Sequence, residues 1–109
     1  MSSFANTGGD AGVAEKTKVS SKDGTELPKR YKVIFHNDDY TTMEFVVQVL
    51  RSVFGHSEVV AIELMLQVHL NGMAVCGVYT AQIAEMKIAE VHRLARDKGW
   101  PLRLTMEEE

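Results

Sequence analysis

Residues 31–55 read YKVIFHNDDYTTMEFVVQVLRSVFG. The hydrophobic period changes inside this stretch, and that change decides the fold. Tyr31, Val33 and Phe35 alternate with Lys32, Ile34 and His36, the period-two pattern of a half-buried strand. The run stops at Asn37-Asp38-Asp39, residue types whose side chains bond nearby backbone and favour turns. Beyond the turn the spacing becomes helical, with Val46, Val49, Leu50 and Val53 recurring at intervals of three and four. Thr41 stands three residues before Glu44, the spacing of a capping box, and Gly55 is the expected stop.

The same grammar continues toward the C-terminus. Ser57 is a candidate N-cap, with Glu58 in the first turn where the helix dipole favours an acid. Ala61, Leu64, Met65 and Val68 form an apolar stripe that ends at Asn71-Gly72. Met73 to Tyr79 reads as a second strand containing Cys76. Thr80 is placed to cap a third helix, lined by Ala84, Ile88, Val91 and Ala95 with Leu94 beside them, and ended by Gly99 and Pro101. Leu102 to Met106 is a last short strand, followed by a solvated Glu107-Glu108-Glu109.

The order β-α-α-β-α-β predicts an α+β, two-layer domain: a three-stranded, mostly antiparallel sheet covered by three helices. Toward the N-terminus the composition shifts to Gly, Ser, Thr and Ala with almost no large apolar residue. Such a segment buries too little apolar surface to offset its conformational entropy. The expected division is therefore a flexible tail over residues 1–27 and one domain over residues 28–109.

Composition narrows the function. The chain has 109 residues, 45% of them hydrophobic, and a formal net charge of -3. One domain is expected, and no partnership with nucleic acid, which needs clustered Lys and Arg to neutralise phosphates. The single cysteine, Cys76, has no partner for an internal disulfide. Without an apolar run of about 18 residues or a signal-peptide pattern, the expected location is the cytoplasm and no membrane role is expected.

Three features can carry chemistry. The loop Asn37-Asp38-Asp39 is either an Asx-turn that starts the helix or a group of acceptors for a cation such as an ammonium. His69, beside Met65 and Val68 on one helix face, is either a hydrogen-bonded boundary residue or a polar group at the mouth of an apolar pocket. His36, Asp38, Asp39 and His69 are possible metal ligands, but their spacing fits no zinc pattern, so no metal and no cofactor is expected. His56 and His92 read as surface residues. No nucleophile with its base, P-loop or dinucleotide turn is present, which predicts a binding module and not an enzyme.

Three further stretches decide among these. The run from Val33 to Val46, then Leu64-Met65-Leu66-Gln67-Val68-His69, then Val75-Cys76-Gly77-Val78-Tyr79-Thr80-Ala81 resemble the ClpS family of bacterial N-end-rule adaptors. Pro101-Leu102 and Thr105-Met106-Glu107 fit the same family's C-terminal end, so the resemblance runs from about Lys29 to Glu109. It implies capture of N-degrons, proteins whose first residue is Leu, Phe, Tyr or Trp, and their delivery to a AAA+ unfoldase of the ClpA or ClpC type that feeds ClpP. By position, Asn37, Asp38 and His69 would hold the free α-amino group, leaving Asp39 to the loop. Thr41, Met43, Val46, Met65, Val68 and Leu102 would line the side-chain pocket, with Met43 as a gate against β-branched residues. Glu85 and Lys87 would face the unfoldase, and a monomer suits such a carrier. The sequence departs from the family at Thr42, usually proline, at His36, where an aliphatic pocket residue is common, and at Gln82, often an acid. The first departure is mild, the second is expected to narrow or polarise the pocket, and the third to alter docking.

Overall fold

A computed structural model of the chain describes residues 27–109. The expected tail lies outside these residues except for Leu27, which is exposed. Six elements follow: β1 (Arg30–His36), α1 (Met43–Ser52), α2 (Glu58–Asn71), β2 (Met73–Thr80), α3 (Ala81–Lys98) and β3 (Arg103–Glu108). Their order is the expected one. The sheet runs β2-β1-β3, and both pairings are antiparallel, so it is wholly and not mostly antiparallel.

The strand alternation sorts the two faces of the sheet. Val33 and Phe35 are fully buried in the core, joined by Phe45, Val49 and Leu50 of α1 and by Val91 and Ala95 of α3. Phe35 meets Phe54 edge to face, with ring centroids 5.4 Å apart, a geometry aromatic quadrupoles favour. Ile34 points the other way. It is buried outside the main core, opposite Val75 and Thr105.

Register in β2 slips once. Val33 pairs with Gly77 but Ile34 with Val75, which leaves Cys76 as the extra residue of a β-bulge. The bulge turns Cys76 into the core, where burial pushes its thiol up to about 12. At Gly77 the chain needs the missing side chain, because a Cβ there would sit 2.5 Å from the Tyr79 ring.

Several ends match their expected signals and others move. Ser57 caps α2 by accepting from Val60 N at 3.2 Å, and Gly72 ends that helix with φ 89°. Thr80 sits at the N-cap of α3 but makes no side-chain cap bond. Strand β3 begins one residue later than expected and extends to Glu108, because Lys32 and Tyr31 of β1 take Glu107 and Glu108 as partners. The glutamates are thus strand residues, though still exposed. His92, expected at the surface, is partly buried and accepts a hydrogen bond from Leu104 N at 3.0 Å. Burial and then the charge of Arg96 hold its pKa below the ordinary value. His56, also expected at the surface, bonds the Cys76 carbonyl through Nε2 at 2.7 Å and so fixes the α1–α2 connection to the bulge.

Candidate functional site

The loop after β1 is tied at its base, where Asn37 N donates to Gly72 O at 2.9 Å. That bond brings the acidic turn against the C-terminal end of α2, the end that carries His69. Within the turn Asp38 does most of the bonding. Its Oδ1 accepts from Tyr40 N at 2.9 Å and from Thr41 N at 2.7 Å, and its Oδ2 accepts from the Thr41 hydroxyl at 2.8 Å. Partial burial pushes the Asp38 pKa up, but the bonds from Thr41 and Tyr40 pull it further down, so the net direction is down. Asp39 is exposed and bonds no other described residue.

This arrangement moves the helix cap. With its hydroxyl committed to Asp38, Thr41 does not cap α1; Thr42 does, accepting from Phe45 N at 3.2 Å. The departure at Thr42 therefore has a role: where a proline has no hydroxyl, threonine supplies the cap acceptor.

A concavity of about 510 Å³ opens between this loop, the start of α1 and the face of α2. Asn37, Asp38, Asp39 and His69 give it a polar side. Met43, Val46, Met65 and Val68 give it an apolar side, with Thr41 between. Eight of the nine residues expected for the site, all but Leu102, thus line one pocket of the size usual for small ligands, roughly 300–1,000 Å³. Leu102 does not line it. With 5% of its surface exposed, it packs into the core cluster as the chain turns into β3.

His36 does not enter the pocket either. As the sixth residue of a strict alternation begun at Tyr31, it faces away from the core, and its Nε2 bonds Thr105 Oγ1 at 2.8 Å across the β1–β3 pair. Burial and then the charge of Arg103 lower its pKa. The expected narrowing of the pocket by His36 is absent.

Glu85 and Gln82 are exposed on α3. Lys87 is not free in the same way. Its Nζ donates to Val53 O at 2.8 Å, at the end of α1, and lies 5.7 Å and 5.2 Å from the ring centroids of Phe54 and Tyr79. Among the described residues no cluster of three His, Cys, Asp or Glu side chains is disposed to hold a metal ion, and no helix is long and apolar enough to cross a membrane.

Sequence comparison gives this geometry a context. Residues 26–105 match the family described as ATP-dependent Clp protease adaptor protein ClpS. A ClpS adapter of Desulforapulum autotrophicum is 53% identical over 93 residues, covering 85% of this chain and 88% of its own. That of Desulfatibacillum aliphaticivorans is 55% identical over 85 residues, covering 78% and 82%. Among solved structures, Agrobacterium tumefaciens ClpS2 bound to L-phenylalaninamide matches with a TM-score of 0.74 and 44% identity, over 76% of this chain and 100% of that one. Fold and sequence agree: the chain belongs to the ClpS family of Clp protease adaptor proteins, which are adaptors and not enzymes.

Proposed function

We propose that this adaptor captures proteins through a free N-terminal residue with a bulky hydrophobic side chain, and carries them to an unfoldase of the ClpA or ClpC type. The carrying observation is the two-sided pocket, with carboxylates, an amide and an imidazole on one side and methionine and valine on the other. An N-terminal residue has the complementary parts. Its α-amino group, with a pKa of about 7.7–8.0, is largely an ammonium at neutral pH. The relative from Agrobacterium tumefaciens is described with L-phenylalaninamide, which carries a free amine, a benzyl group and an amide in place of the carboxylate.

Asn37, Asp39 and His69 supply the three acceptors for the ammonium, and Asp38 holds the loop that presents them. This exchanges the roles first expected for the two aspartates. Asp38 already accepts three hydrogen bonds, whereas Asp39 is exposed and accepts none from another described residue. Met43, Val46, Met65 and Val68 receive the side chain, and burial of a Leu or Phe there contributes roughly 1.5–3 kcal/mol. Charge-assisted bonds contribute roughly 1.5–3 kcal/mol each. After association costs, a binding free energy of about −8 kcal/mol is expected, a dissociation constant in the micromolar range.

The chain acts in the cytoplasm as a monomer, and Glu85 with its neighbours on α3 faces the unfoldase. Lys87 contributes there only through the surface its clip leaves uncovered. Fluorescence anisotropy with peptides beginning Leu, Phe, Val and Arg, each with a free and an acetylated amine, tests the reading. Free Leu and Phe peptides bind and their acetylated forms do not. Failure of the free Leu and Phe peptides to bind would sink it.

A further inference from the structure

A second concavity, of about 710 Å³, lies between α1 and α2. It shares Met43, Glu44 and Met65 with the amine pocket. From that shared wall it follows α1 past Val47 to Arg51, with Ile62 of α2 opposite. Met43 and Ile62 keep 44% and 39% of their surface exposed, so the apolar walls are uncovered rather than packed. The ends of the groove differ in sign. Glu44 stands at the junction and Arg51 at the far end, and neither forms an ion pair with another described residue. Seven positions of helix separate them, about 10 Å along the axis, which an extended peptide covers in about three residues.

We propose that this groove is an extended subsite for the residues that follow the N-terminal one, and that it selects them by charge. This inference rests on the amine pocket being the site of the first residue. The chain of a captured protein leaves that pocket across Met43 and Met65 and lies along α1. Its second residue comes beside Glu44 and its fifth beside Arg51. The preferred N-degron carries a cation at position two and an anion near position five. The Met43 and Ile62 side chains take intervening aliphatic stems. Continuity with the first pocket and the opposite charges at the two ends favour this occupant over a second copy of the chain or the chain's own residues 1–26.

The test uses the full chain and three amidated peptides with free amines: Leu-Lys-Ser-Ser-Glu, the charge-reversed Leu-Glu-Ser-Ser-Lys, and Leu-Ser-Ser-Ser-Ser. Exposed ion pairs shift affinity by about two- to fivefold each, so the first peptide binds about four- to twenty-fivefold tighter than the second at low salt. The difference shrinks as ionic strength rises and the Debye length falls. Arg51→Glu reverses the contact at position five while Glu44 keeps its own, so the difference between the two charged peptides collapses to within about twofold and the all-serine peptide stays within about twofold of its original affinity, with an unchanged melting temperature as the folding control. Equal binding of the two charged peptides, or a preference undiminished in Arg51→Glu, overturns the extended subsite. If none of the three peptides binds, the amine-pocket reading itself has failed, which is a separate result. Competition by an acetylated peptide of residues 1–26, or a change of oligomeric state in Arg51→Glu by sedimentation, would assign the groove to the other occupants and also overturn the proposal.

Discussion

The adjacent carboxylates of Asp38 and Asp39 separate into two jobs, and substitution can tell them apart. Asp38→Asn keeps an amide oxygen where Oδ1 accepts from Tyr40 N and Thr41 N, and its NH2 can donate to the Thr41 hydroxyl in place of the bond Oδ2 accepts. The turn survives this change, so stability is expected to shift by less than about 0.5 kcal/mol and peptide affinity by about two- to threefold. Asp38→Ala removes all three acceptor contacts at once. By analogy with loss of a cap it costs about 1–2 kcal/mol, on the order of 5–15 °C in melting temperature for a domain of this size. Asp39→Ala has the opposite profile. Asp39 bonds no other described residue, so the melting temperature stays put. Affinity for a free-amine Leu peptide falls because a charge-assisted bond of roughly 1.5–3 kcal/mol is lost. Solvent exposure at Asp39 places the effect at the low end, about tenfold. Parallel thermal melts and anisotropy titrations of the three variants decide the matter. If Asp38→Asn loses binding as severely as Asp39→Ala while melting normally, Asp38 is the ammonium's counter-charge and the division of roles is wrong.

Other consequences are measurable in the same way. Gly77→Ala drives a Cβ into the Tyr79 ring, 2.5 Å away; it is expected to cost about 1–3 kcal/mol, and in Tyr79→Ala the same change should cost much less, as a denaturant double-mutant cycle will show. Lys87→Met removes the bond to Val53 O and the contacts over Phe54 and Tyr79, a loss of about 1–2 kcal/mol by chemical denaturation; an unchanged midpoint would refute the clip. His36 and His92 both have lowered pKa values. The unfolded chain therefore takes up protons first, and the stability these residues contribute is complete above about pH 6.5 and lost as pH falls through their folded values. His92→Gln, whose amide oxygen can accept from Leu104 N, should flatten that fall in melts between pH 7 and pH 5.

What the sequence revealed depended on how far away each side chain's partner stands. Ser57 bonds a backbone N–H three residues on, and Gly72 ends its own helix, so both were readable from local chemistry. Thr41 misled because its hydroxyl had two possible local partners, and Asp38 took it before the helix did. His56 and His92 bond residues 20 and 12 positions away, and no pattern in a single chain announces such pairs. The pocket was legible as a set because its residues sit on two periodic helices and one turn. Leu102 could not be placed from sequence, because only packing decides whether an apolar residue before a strand lines a pocket or fills the core beneath one. The bulge at Cys76 has no local signal either, since it arises from register against β1.

β1 is the central strand, bonded along both edges to antiparallel neighbours. It begins just after Leu27 and ends at the loop that forms the pocket's polar side. A pull on the chain ahead of Leu27 therefore runs down the strand axis and loads both ladders in shear, where many hydrogen bonds resist together instead of opening one at a time. The strand works as a tie rod. Tension applied at its leading end meets the most resistant direction of the sheet before it reaches Asn37 and the grip on a captured N-terminus.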